Sequence, residues 1–299
     1  MKLFQPSAEI YVWDQSSIVA ALERTTHLAI CAHPDDVEIM AAHGILECFH
    51  RHDRGFTGVV VTDGAGSART AGYAGATDLQ MRATRRIEQK KAAFLGEYSA
   101  QLLLDHPSSF VRGPGQRLVV DELSSILSAT RPQVVYTHNP FDRHDTHVAV
   151  ALLTIEALRR MREADRPKHV IGGEVWGDLD WLPEADKVVM DVSQGEHLQA
   201  SLLGVFDSQI AGGKRYDLAA LGRRKANATF RESHAVDRAT GVIYGVDLMP
   251  LIRKPELAVA DWAQQRIEVF RAQVTSRIDG LGRVEQVDDP PTSKTMGPV

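Results

Sequence analysis

Two short segments hold most of the residues able to do chemistry: Ala32-His33-Pro34-Asp35-Asp36-Val37-Glu38 and His138-Asn139-Pro140-Phe141-Asp142-Arg143-His144-Asp145-Thr146-His147. Imidazole nitrogen and carboxylate oxygen are ligands that Zn²⁺ accepts, commonly three per catalytic site with a fourth position left for water. His33 and Asp36, three residues apart across a turn, could chelate one ion, and His147 could close the set from the second segment. The spacing does not by itself choose between Asp35 and Asp36 as ligand. Whichever carboxylate is unligated would be free to take a proton from water. His144, three residues before His147, could donate to an oxyanion or protonate a leaving nitrogen. Helix capping alone would also explain two acids at a helix start. The coincidence of two histidine-bearing segments is what favours a metal site.

Those segments must be brought together by the elements around them. From residue 26 short apolar runs alternate with helical stretches, the pattern of βαβ units on a parallel sheet. Strands are expected at 27–32, 57–61, 101–104 and 133–137, with helices over 37–51, 79–95, 117–130 and 146–161. Later strands are expected at 170–171, 174–176 and 187–191, and helices near 195–206, 216–230 and 261–278. The expected fold is α/β, a Rossmann-like three-layer sandwich with a mostly parallel sheet. Both chemistry-bearing segments then leave the C-terminal ends of strands, where open parallel sheets bind ligands. Residues 1–25 read as an extension packing on the sheet edge. Residues 26–285 read as one domain, with a core over 26–210 and additions over 211–285, and residues 286–299 as a mobile tail.

Composition bounds the partners. The 299 residues carry a formal net charge of −5, which gives no reason to expect nucleic acid. The cations Arg82, Arg85, Arg86, Lys90 and Lys91 fall at helical spacings and read as a solvated helix face. No apolar run approaches the ~20 residues of a membrane span. Residues 1–6 lack the apolar core of a signal peptide, and the two cysteines, Cys31 and Cys48, suit a reducing compartment. A cytoplasmic location is the expectation. A nucleotide-binding Rossmann enzyme is a poor alternative. Its first strand should open into a glycine-rich turn, whereas His33-Pro34-Asp35-Asp36 sets carboxylates where phosphates would sit.

The string Ala32–Glu38 resembles the signature of the PIG-L/LmbE-like de-N-acetylase family, and His144-x-x-His147 followed by Val148-Ala149 resembles its second motif. Val59-Val60-Val61-Thr62-Asp63-Gly64, Arg85-x-x-Glu88 leading to Leu95-Gly96, and Ser208-Gln209 extend the likeness over roughly 26–210. The resemblance implies one Zn²⁺ per chain held by His33, Asp36 and His147, although another divalent transition metal could use the same ligands. It implies Asp35 as general base and His144 as the group stabilising the tetrahedral intermediate. The implied reaction is hydrolysis of the acetyl amide of an N-acetylated sugar or sugar conjugate. Alternatives with the same site are an amidase for a thiol conjugate or antibiotic-type amide, and a non-catalytic metal- or sugar-binding relative. Candidate substrate contacts are Arg69, in the glycine-rich stretch after the second strand, with Asp142 and Asn139. The expected partner is a small molecule, and a homo-oligomer is compatible with the sequence. Two departures stand out. Many members carry Asp where this chain has Thr146, so Asp145, Asp142 or another group must orient the final histidine. Ile39-Met40-Ala41-Ala42-His43-Gly44 replaces a run of small residues.

Overall fold

The computed structural model describes residue 1 and residues 3–282; the tail expected over 286–299 lies outside the described residues. The described chain forms one eight-stranded sheet: β1 (Glu9–Tyr11), β2 (His27–Cys31), β3 (Phe56–Thr62), β4 (Ala100–His106), β5 (Val134–His138), β6 (His169–Gly173), β7 (Lys187–Asp191) and β8 (Val242–Asp247). Their order across the sheet is β1-β4-β3-β2-β5-β6-β8-β7. The five strands from β4 to β6 in that order are mutually parallel. β1 adds antiparallel to β4 at one edge, while β8 runs antiparallel to both β6 and β7 at the other. The sheet is therefore mostly parallel, and the fold is the α/β sandwich expected.

Strands covered by helices on both faces read as continuous apolar runs, because neither face meets water. β2 shows the consequence. Leu28 and Ile30 enter the core on one face and Ala29 and Cys31 the core on the other, following the two-residue period of a strand. In β3, Val59 and Val61 point one way and Val60 the other. The long helix Asp78–Leu95 begins at a capping box in which Thr77 and Gln80 satisfy each other's backbone donors.

Four features depart from the sequence reading. The helix expected over 37–51 is two helices, Asp36–Met40 and Ala42–Cys48, broken at Ala41. The second carries Gly44 beneath the ring of Tyr136, where an added Cβ would come 2.5 Å from a ring carbon. Residues 174–176 are not a strand. The chain leaves the sheet after Gly173 because the buried Glu174 carboxylate turns inward to accept the backbone N–H groups of Leu179 and Tyr244. β8 is absent from the sequence reading, since Gly245 interrupts its apolar pattern; that glycine lets Ile171 approach to 2.5 Å of where a Cβ would lie. Finally, the basic residues on Asp78–Leu95 are not a freely solvated face. Arg82 and Arg86 pair with Asp105, Arg86 and Lys90 with Glu9, and Arg85 is buried. No helix among the described residues is long and apolar enough to cross a membrane.

Candidate active site

β2 and β5 are adjacent and parallel, and the chain proceeds from β2 toward β3 and from β5 toward β6, in opposite directions across the sheet. That reversal opens a crevice at the C-terminal strand ends. The loop after β2 and the loop after β5 line it, and the cavity there measures about 760 Å³.

Three side chains meet at its floor. His33 Nδ1 lies 3.1 Å from His147 Nε2, and each lies 3.3 Å from Oδ2 of Asp36. The same carboxylate oxygen accepts the backbone N–H of His33 at 2.7 Å, which holds Asp36 across the turn. With both imidazoles neutral, their two nitrogens and the carboxylate oxygen would present three lone pairs to one ion. The set fits a divalent cation of the zinc class. Burial raises the proton affinity of Asp36, but His147 and His138 around it outweigh that and hold its carboxyl well below the usual range. Burial disfavours charge on His147 as well, yet Asp36 and Asp142 on its two sides push it up to about 10.

His138 is the residue that sequence reasoning passed over. It is fully buried at the end of β5, with Nε2 3.4 Å from Asp36 Oδ2, and Asp36, His138 and His147 form a second compact group. Its Nε2, however, accepts the backbone N–H of Ala32 at 2.9 Å, which occupies the lone pair it would offer a metal. Its place directly after four strand residues was the available signal.

Asp35 sits beside this cluster, only 5 % exposed, with φ +86°, a left-handed conformation that non-glycine residues rarely adopt. Its backbone N–H is bound by Gln89 Oε1 at 3.1 Å, and its carboxylate accepts from Arg85 Nη2 at 3.2 Å. Arg85 Nη2 also donates to the carbonyl of Pro34. Burial, with the Asp36 carboxylate beside it, lifts Asp35 to about 7 against the opposing pull of Arg85 and His147.

His144 is the N-cap of the helix Asp145–Arg159. Its Nδ1 accepts the Thr146 N–H at 3.2 Å, so in the neutral ring the proton is on Nε2. Its ring stacks on His147 at 4.6 Å between centroids and lines the cavity. Burial and the neighbouring histidines lower its proton affinity, against the pull of Asp36 and Asp142.

The three residues read as substrate contacts are employed otherwise. Asn139 is completely buried; its amide donates to Gly173 O at 2.7 Å and its oxygen accepts from Phe141 N at 2.8 Å. Asp142 accepts backbone N–H groups from His144 and Trp176 and stands 3.3 Å from His147 Nδ1. It therefore occupies the position from which a carboxylate orients a ligating histidine, while Asp145 points into solvent. Arg69 binds the carbonyls of Ala65 and Ala76 and the carboxylate of Asp78, staying within its own loop. Arg69 is held by its own loop and the helix start beside it, whereas Asn139 and Asp142 are tied to the segment around residues 173–177. Gly64, Gly66, Ser67 and Ala68 line the cavity from the loop after β3, and much of the remaining wall comes from further along the chain, including Trp176, Gln209, Lys214 and Tyr216. Ser208, next to Gln209, is anchored to the buried Glu88 carboxylate at 2.6 Å.

Residues 28–158 match the family model described as PIG-L, GlcNAc-PI de-N-acetylase. Among solved structures, the chain is similar to the conserved protein TT1542 from Thermus thermophilus, with a TM-score of 0.57 and 18% identity over 76% of this chain and 95% of that one. It is similar to N,N'-diacetylchitobiose deacetylase from Pyrococcus horikoshii, with a TM-score of 0.57 and 18% identity over 74% and 83% of the two chains. It is also similar to GalB, the 4-carboxy-2-hydroxymuconate hydratase from Pseudomonas putida, with a TM-score of 0.56 and 16% identity over 75% and 96%. At these identities the likeness is one of fold. No curated protein sequence matches the chain.

Proposed function

We propose that this chain, whose residues 28–158 match the PIG-L family model, is a zinc-dependent N-deacetylase acting on an N-acetylated sugar or sugar conjugate. The observation that carries the proposal is the placement of an unligated, buried carboxylate, Asp35, beside the convergent donors His33, Asp36 and His147. A binding module needs the three donors but has no use for a strained fourth group next to them.

His33, Asp36 and His147 would hold the metal. A zinc ion there supplies Lewis acidity, polarising the amide carbonyl and making water acidic near neutral pH. Asp35 accepts the proton as water oxygen attacks the carbonyl carbon. Arg85 keeps the Asp35 carboxylate aimed into the cavity and ionised enough to act. His144 presents its Nε2–H to the oxygen that gains negative charge, with its tautomer fixed by Thr146 N–H. The proton held by Asp35 then passes to the amide nitrogen as the C–N bond breaks, leaving acetate and a free amine. The sugar class is supported by the family description and by the chitobiose deacetylase neighbour's name.

The test is metal analysis of protein purified without chelator, for wild type and Asp36→Ala, followed by acetate release from N-acetylated sugars. About one zinc per wild-type chain, its loss in Asp36→Ala, and metal-dependent acetate release are expected. A metal-loaded wild type that releases no acetate from any N-acetyl sugar would overturn the deacetylase reading. It would turn attention to other additions of water, of the kind named for the hydratase neighbour.

A further inference from the structure

The charge around the cavity mouth runs against the charge of the chain. The protein is net −5, yet Arg112, Arg143, Lys214 and Arg223 all line the cavity. Beyond Asp35 and Asp36 on the floor, the only acidic group there among the described residues is Asp145. Asp145 offsets little, since its carboxylate is 86% exposed and 4.0 Å from the nearest Arg112 nitrogen. Arg223 uses one nitrogen on Val175 O at 2.7 Å. The Lys214 ammonium rests over the Trp176 ring at 5.0 Å, and no carboxylate of the described residues pairs with it or with the Arg143 guanidinium.

Arg143 and Lys214 belong to one wall. Asp142 holds both sides of it, accepting Trp176 N–H at 3.1 Å and His144 N–H at 2.9 Å, so the chain on either side of Arg143 is fastened to the Trp176 loop. Trp176 is 40% exposed, a large side chain to leave in water, and meets Tyr216 edge-on at 6.1 Å and the His144 ring at 6.3 Å. An exposed indole beside His144 offers a flat face to a sugar ring, and unpaired cations flank it. In a cleft with low-dielectric walls, such charges act on a bound anion more strongly than scattered surface charges. Toward a neutral N-acetyl sugar they offer only hydrogen bonds to hydroxyls, with no charge to meet their own, and they would repel the ammonium that deacetylation creates.

Resting on the deacetylase reading, we infer that the substrate carries an anionic group, a carboxylate or a phosphate, bound by Arg143 and Lys214 while its sugar ring lies against Trp176. With that group present the product is a zwitterion, and the wall holds its negative end.

The experiment is calorimetric titration of the zinc-loaded full chain bearing Asp35→Asn, which prevents turnover during the measurement. The probes are N-acetylglucosamine, its 1-phosphate and its lactyl-ether carboxylate. At least one anion should bind about 10-fold or more tightly than the neutral sugar, as charge-assisted hydrogen bonds do. That preference should shrink as salt is raised. Adding Arg143→Gln and Lys214→Gln should bring the ratio of anionic to neutral affinity toward one, and Lys214→Arg should retain it. Equal affinities for all three probes, or a preference that survives both Gln substitutions, would overturn the inference. Which anion is preferred distinguishes phosphate from carboxylate. Acetate release by the wild type is scored separately. Anion preference without acetate release leaves the anion site standing and removes the deacetylase reading, whereas release without preference does the reverse.

Discussion

Asp142 Oδ1 stands 3.3 Å from His147 Nδ1, on the side of the ring opposite Asp36. The imidazole is thus bracketed by two carboxylates, one facing its metal-side nitrogen and one behind it. A carboxylate behind a ligating histidine fixes its tautomer and strengthens it as a ligand. Asp142→Asn should therefore weaken zinc binding by about 10–100-fold, read by competition with a fluorescent chelator. Asp145→Asn should leave zinc affinity unchanged, since that side chain is turned to solvent. Equal loss in both variants would reject the assignment of Asp142.

The division of labour between the adjacent acids gives a second prediction. Asp35→Asn should keep the metal and lose turnover by roughly 10²–10⁴, the usual contribution of a general base. His147→Ala should lose metal and turnover together. Metal content and acetate release measured on the same preparations check both, and near-normal turnover in Asp35→Asn would show that Asp35 is not the base.

Gln89 should act on the reaction without touching substrate. Its Oε1 binds the Asp35 N–H at 3.1 Å, and its Nε2 donates to Glu38 Oε1 at 2.8 Å, so it pins the left-handed backbone of Asp35 to the core. Gln89→Leu leaves a buried N–H without an acceptor, costing about 1–3 kcal/mol, seen as a lower unfolding midpoint in denaturant. The kcat should fall with metal content retained, because the base is misaimed while the ligands stay in place.

Acid sensitivity has an identifiable contributor away from the site. Burial, with His43 and Arg54 nearby, lowers His27 to about 4. Between its ordinary value near 6.5 and 4 the unfolded chain binds a proton that the folded chain refuses, so stability falls as pH drops through that window. Above pH 6.5 the group is neutral in both states and contributes no pH dependence. The full loss is about 3 kcal/mol. In His27→Leu the decline of stability between pH 6.5 and 4 should be shallower than in wild type by up to that amount, measured by denaturant titration at each pH. Identical slopes would show that His27 does not titrate in this way.

The parallel core and the meeting of two polar loops were legible in the sequence for a local reason. A strand buried on both faces reads as a near-continuous apolar run, as the centres of 27–32, 57–61 and 133–137 do, and a histidine- or aspartate-rich string directly after such a run must emerge at the strand's C-terminal end. What the sequence could not determine depends on approach between distant segments. Arg85 looked like one cation among several on a helix face. Only the packing of Asp78–Leu95 against the loop after β2 brings it to Asp35, fifty residues away, and removes both from water. The choice of Asp142 over Asp145 behind His147 was likewise open, because both precede that histidine closely in the chain and only the folding of the loop decides which one reaches back to it. Asn139 and Arg69 are polar residues in loops beside the site, and nothing local says that Asn139 reaches across to Gly173 or that Arg69 turns back on the carbonyls of Ala65 and Ala76. The cationic wall came from residues 112 to 223, assembled by tertiary structure alone. Local pattern decides which way a strand faces and where it ends; which polar groups are left unpaired at that end is decided only when every other segment has taken its partners.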